Sequence, residues 1–177
     1  MKRVFFLTPF ALAAMTGCAP ASNQIQAGQW ELVSETQSIT LSNATDEVRE
    51  QLQSRVGRPN SDRLCLTEDQ ARHLLELPKQ MVSGGNPTAC RFTDETYANG
   101  ALRLAGTCPA GSPMGGPTGN LTNSLDGRFT ATTFNSTVHV QGPNMIAPGG
   151  GDMNVTISFR GRRLGPCTAT PGAPARS

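Results

Sequence analysis

The apolar residues of this chain fall into three kinds of pattern. A mostly apolar block runs from Val4 to Met15, two stretches with helical spacing lie between residues 45 and 78, and most of the rest alternates with period two. The first alternating stretch, Gly28 to Leu41, reads GQWELVSETQSITL and is rich in strand-forming residues. Its alternation breaks midway. Trp30 and Leu32 share one face while Val33, Ile39 and Leu41 share the other, so a bulge or twist is predicted between them. A helix is predicted over Thr45 to Val56, capped by Asn43 or Thr45, with Asp46 and Glu47 where the helix dipole favours negative charge. Val48, Leu52 and Val56 form one narrow apolar line on an otherwise polar helix, which places it on the surface, and Gly57 and Pro59 stop it. Thr67-Glu68-Asp69-Gln70 is a capping box that opens a second helix, with Leu66 and Ala71 as a hydrophobic staple. Leu74, Leu75 and Leu77 follow, and Pro78 is expected to end it.

From Thr88 onward the pattern predicts strands joined by Gly- and Pro-rich loops. Parity sets their register, because residues directly opposite in an antiparallel pair share a face. Cys90, Phe92, Leu102, Leu104 and Cys108 are all even-numbered. A three-residue loop through Ala98-Asn99-Gly100 places Cys90 opposite Cys108 and Phe92 opposite Gly106, within disulfide reach. The next hairpin is expected to turn at Asp126-Gly127, which puts Leu121 and Leu125 on one face with Phe134, Val138 and Val140. The last strand turns Met153, Val155, Ile157 and Phe159 inward, and Asp152, Asn154, Thr156, Ser158 and Arg160 outward. The expected fold is mainly β (α+β): an antiparallel meander forming a curved sheet or open barrel, with two short helices between the first strand and the meander.

The N-terminus changes the picture of what folds. Lys2 and Arg3, the apolar block and Thr16-Gly17-Cys18 have the layout of a secretory signal, and the block is shorter than the roughly 20 residues a membrane-spanning helix needs. Small residues followed by Cys resemble a bacterial lipobox, which implies cleavage before Cys18 and lipid on its sulfur; Met15 stands where Leu is usual. Ordinary cleavage after Ala19-Pro20-Ala21 is the rival reading. Ala19 after the Cys implies outer-membrane sorting. Residues 1–17 are therefore read as a signal peptide, 18–26 as a tether, 27–167 as one disulfide-linked domain and 168–177 as a flexible tail. Without Lys2 and Arg3, thirteen basic residues balance thirteen acidic ones, and a neutral chain does not suit nucleic acid. With Cys18 set aside, an even four cysteines remain in an exported chain. If Cys90 joins Cys108, Cys65 joins Cys167 by elimination.

Four features together resemble a family of small exported bacterial domains, domain-of-unknown-function family 3617. They are Gly28-Gln29-Trp30-Glu31, Cys65-Leu66-Thr67 opening a helix, the Cys90/Cys108 pair, and the ending Arg160-Gly161-Arg162-Arg163-Leu164-Gly165-Pro166-Cys167. The family usually has Pro after Cys-Leu-Thr and an acidic residue before the last Cys, where this chain has Glu68 and Pro166. The resemblance implies fold, export and disulfides, and no activity.

Candidate chemistry is sparse. His73 and His139 stand singly, Asp94-Glu95 is one acidic dipeptide near a turn, and no nucleophile-elbow, zinc-protease, phosphate-loop or dinucleotide motif is present. Met81, Met114 and Met145 lie in or beside Gly/Pro-rich loops and Met153 begins the last strand; thioethers are soft ligands for Cu(I), or an adaptable contact surface for an apolar partner. Arg160, Arg162 and Arg163 are expected to cap a sheet edge or pair with acids, with phosphate or an anionic headgroup as the alternative. The reading is a non-catalytic, lipid-anchored, periplasm-facing outer-membrane protein that needs no cofactor. It would bind an apolar ligand or an envelope partner, with Met114, Met145, Met153, Arg160 and Arg162 as candidate binding residues. Cu(I) binding and an uncharacterised enzyme activity are the alternatives.

Overall fold

The computed structural model describes residues 24–83, 87–110, 119–144 and 151–167. Seven strands form one antiparallel sheet: β1 (Gly28–Leu41), β2 (Pro59–Leu66), β3 (Arg91–Ala98), β4 (Ala101–Ala110), β5 (Gly119–Phe129), β6 (Thr133–Pro143) and β7 (Asp152–Gly165). Their order is β2-β1-β7-β6-β5-β4-β3, so the meander runs from β3 to β7 and the last strand docks beside the first. The two outer strands, β2 and β3, do not pair, and the sheet is not closed. Three short helices, α1 (Asp46–Gln53), α2 (Glu68–Arg72) and α3 (Glu76–Val82), lie between β1 and the meander.

The expected break in β1 is a bulge. Its register against β7 shifts between Thr36 and Ser38, leaving Gln37 unpaired. The extra residue brings Ile39 and Leu41 to the face that Trp30 and Leu32 occupy, and Val33 stays on the other. That inner face carries the core. Trp30, Leu102, Leu104, Leu125, Phe129 and Val138 are buried there with Leu66, Ala71 and Leu74 from β2, α2 and the turn after it. Leu64 of β2 and Phe92 and Tyr97 of β3 pack on the same cluster. The space between the two unpaired edge strands is thus filled by helices rather than by hydrogen bonds. A second cluster joins Leu52, Val48 and Val56 from α1 and its C-terminal side to Ile39, Leu41 and Val155, so the predicted apolar line is the buried one.

Local chemistry sets the helix starts. The Thr45 side chain accepts a bond from Val48 N–H, and Thr67 and Gln70 form the reciprocal capping box. The second helix is shorter than expected, and there is a third. Pro78 lies inside the first turn of α3, where its missing N–H has no helical partner to lose, so it helps begin a helix instead of ending one. Lys79 then ties α3 to β3: its Nζ stands 2.6 Å from Glu95, 3.1 Å from Glu76 and 5.4 Å from the centre of the Phe92 ring. The bond to Glu95 raises the Lys79 pKa, against the opposing effect of burial.

Three other expectations need correction. β2 was not foreseen, because PNSDRLCL has neither alternation nor apolar weight; it is an exposed edge strand. The β3–β4 turn has two residues, Asn99 and Gly100, both with positive φ (52° and 74°). A bulge at Thr93 then supplies the missing residue, so Phe92 still faces Gly106 and Cys90 still meets Cys108. The β5–β6 turn is not at Asp126-Gly127, which sits in mid-strand, but at residues 130–133. There the Thr130 hydroxyl accepts from Thr132 N–H and Thr133 N–H. Both turn positions give an odd register sum, so Leu125 and Val138 share a face as expected, and here they are direct partners.

Candidate functional site on the uncovered face of the sheet

Helices cover the inner face, and the outer face shows polar side chains. Its composition follows from register. In the first row from the end where the chain enters, Arg63, Glu31, Arg162 and Thr133 lie side by side on β2, β1, β7 and β6. The next row holds Val33, Arg160, Asn135, Arg128 and Ala101, and the third Glu35, Ser158, Thr137, Asp126 and Arg103. Beyond these, the central strands β7, β6 and β5 carry Thr156, His139 and Ser124, then Asn154, Gln141 and Thr122. An open depression of ≈ 930 Å³ lies across the second and third rows, lined by Arg103, Asp126, Arg128, Asn135, Ser158 and Arg160 among others.

The acids of this face are paired. Arg162 donates to Glu31 at 2.9 Å, Arg160 to Glu35 at 3.2 Å, and Arg103 stands 3.4 Å from Asp126. Arg63 and Arg128 make no ion pair among the described residues. In two pairs the cation is outermost: the Arg162 and Arg160 side chains are 67% and 61% exposed, above Glu31 and Glu35 at 27% and 21%. The lower carboxylates hold the guanidiniums in place, and the guanidiniums meet solvent.

The end of the sheet that carries these rows is also where both chain ends are held. Ile25 is buried in the core, its N–H donating to the Tyr97 hydroxyl at 3.0 Å. That hydroxyl donates to Ala71 carbonyl at 3.0 Å, so one phenol joins the N-terminal segment, β3 and α2. Burial raises its pKa, only partly offset by the Ile25 N–H. The 130–133 turn accepts Gln26 N–H at Ala131 and Arg163 N–H at Thr132. The Arg163 guanidinium points inward and donates to Ala27 carbonyl at 2.8 Å. Gly28 (φ +142°) has no room for a side chain beside Gly165 carbonyl and Arg163. At Gly161 a Cβ would run into the Phe134 ring, which stacks in turn toward Trp30 at 5.9 Å. Ile25 and Gln26, read from sequence as the last of a tether, thus belong to the packed domain.

The candidate residues separate. Cys65 and Cys167 are joined, with Cα atoms 5.6 Å apart, on the exposed outer side of the entry end. Cys90 and Cys108 are joined with Cα atoms 4.2 Å apart at the opposite end. Arg160 and Arg162 share the outer face. Met153 does not join them: it is buried on the inner face, bordering a depression of ≈ 480 Å³ with Leu41 and Gly142. Cys18, Met114 and Met145 lie outside the described residues, as does the side chain of Met81. His139 Nδ1 is 3.1 Å from the Thr156 hydroxyl on the outer face, and His73 is 3.3 Å from Asp69 on α2. Among the described residues no group of three or more His, Cys, Asp or Glu is placed to hold a metal ion. Sequence reasoning passed over Arg63, Arg103 and Arg128, which only strand register gathers on one face.

A family model described as protein of unknown function (DUF3617) matches residues 25–167. The chain belongs to this family. The DUF3617 match begins at Ile25, where the chain enters the core, and ends at Cys167, where the second disulfide closes it. The Gly-Gln-Trp-Glu, Cys-Leu-Thr and Arg-Gly-Arg-Arg motifs of this DUF3617 domain converge on the entry end of the sheet. No curated protein and no solved structure matches the chain.

Proposed function

We propose that this DUF3617 protein is a non-catalytic, exported domain, anchored to the outer membrane by lipid on Cys18, which presents its outer sheet face to a component of the cell envelope. Two disulfides fit an oxidising compartment. The observation that carries the binding role is the division of the sheet: core residues and helices occupy the inner face, while the outer face keeps an open, charged depression. This shifts the reading from an apolar ligand toward a polar partner. Two experiments test it. A signal-peptidase II inhibitor is expected to leave the precursor uncut; normal processing in its presence would exclude the anchor. A photoreactive residue at Thr137, in the depression, is expected to label an envelope component that the same residue at Glu47, on α1, does not. Equal labelling, or none, removes the binding role.

A further inference from the structure

We infer that the partner of the outer face is a bilayer surface bearing anionic phosphate headgroups, met by the arginines of its entry half; this rests on the binding face proposed above. Arg63, Arg162, Arg160, Arg128 and Arg103 all fall in the first three rows, against Glu31, Glu35 and Asp126. Farther along the same face the charged residues are Arg91, Asp94 and Asp152, so the basic excess is confined to one half. Within that half every acid is already paired, Glu31 and Glu35 lie beneath their arginines, and Arg63 and Arg128 are left over. The field seen from outside is positive although the chain is nearly neutral. Guanidinium groups match phosphate oxygens by paired, charge-assisted hydrogen bonds.

The chain itself brings these arginines to a membrane. Gln24 is the first described residue, Ile25 after it is held in the core at the entry end, and Cys18 is only six positions before Gln24. Six residues span at most about 20 Å when fully extended. A lipid on Cys18 therefore holds the entry end of the sheet, and not the opposite end, against the headgroups. Attraction between exposed charges acts over a Debye length of about 8 Å at physiological salt, which so short a connection lets the domain reach.

The test separates this surface from the anchor. The chain from residue 18 to 177 contains every described contact. Made with its disulfides and with Cys18→Ser, it carries no lipid. It is sedimented with vesicles of phosphatidylcholine alone or mixed with phosphatidylglycerol. Binding is expected only to the mixed vesicles, and it should weaken as salt rises. R63Q/R128Q is expected to reduce partitioning at least about tenfold, each arginine near an anionic surface contributing on the order of 1 kcal/mol. Arg91→Gln, at the far end, should bind like the parent. Equal binding to both vesicles, or an R63Q/R128Q protein that binds like the parent, would overturn the inference. If vesicles fail while Thr137 still labels a protein, the binding face stands and the membrane is not its partner. If both fail, the face itself is lost.

Discussion

The two ends of the sheet are built on different terms. At the entry end, the first and last residues of the domain are locked to each other and to one turn. Gln26 and Arg163 both donate to residues 131–132, Arg163 reaches back to Ala27, and the Tyr97 hydroxyl holds Ile25. At the opposite end the chain passes from β4 to β5 and from β6 to β7 through Gly- and Pro-rich segments, and the Cys90–Cys108 bond ties only neighbouring strands. Three of the four motifs that carry the family resemblance converge on the entry end. Their glycines and Arg163 need no chemistry to explain them: they let the first and last strands pack side by side, while Arg160 and Arg162 of the same motif face outward. The comparison teaches that part of a motif here marks a structural join, and that the surface to test for function is the outward arginine field it contributes to.

The contrast can be broken in order of expected effect. Removing the entry-end disulfide with Cys65→Ser and Cys167→Ser should cost most, about 4–5 kcal/mol, because its sequence separation is 102 residues. Removing the loop-end bond with Cys90→Ser and Cys108→Ser should cost about 3 kcal/mol for a separation of 18. Urea denaturation of both pairs checks the ranking, and the reverse order would defeat the comparison. Gly161→Ala should cost about 1–3 kcal/mol by pushing the Phe134 ring off its strand. The accompanying loss of ring order should be visible in near-ultraviolet circular dichroism.

Tyr97→Phe should cost about 1–2 kcal/mol, since Ile25 N–H and Ala71 carbonyl lose their partner. Its pH dependence sharpens the point. Burial raises the folded pKa of Tyr97 above its ordinary 10.0, so the phenol's contribution is complete below that value and is lost as pH rises through the folded pKa. The gap between parent and Tyr97→Phe should therefore narrow above pH 10, and a gap independent of pH would show that the hydroxyl is not held as described. The smallest effect on stability belongs to R63Q/R128Q, within about 0.5 kcal/mol, because both residues are exposed and make no ion pair among the described residues. A larger loss would mean that these arginines support the fold instead of facing a partner.

Much of this architecture was legible because parity is a strict constraint. The pairing of Cys90 with Cys108 and the shared face of Leu125 and Val138 both hold, although neither turn lies where the sequence points. A two-residue turn plus the Thr93 bulge reproduces a three-residue loop at the far end of the hairpin, and moving the second turn leaves its odd sum intact. Turn chemistry misled where tertiary context prevailed. Asp126-Gly127 has the best short-range turn signal, yet Gly127 is needed in mid-strand, where a Cβ would press on Ser136 and Asn135. β2 was illegible because an edge strand exposed on most sides needs no apolar alternation. The arginine field was half legible. Arg160 and Arg162 stand in a visible motif, but Arg63 lies in the unforeseen strand and Arg128 just past the misplaced turn.

The position of β7 has a consequence for how the chain is made. The last strand synthesised lies between the first strand and the rest of the meander, and β1 touches no other part of the sheet except β2. Until residues beyond Asp152 have emerged behind the others, β1 and β6 each expose an unsatisfied ladder. Such long-range pairing is intrinsically slow to nucleate. A chain of this topology leaves its sheet in two unjoined parts until β7 arrives to close the seam between them.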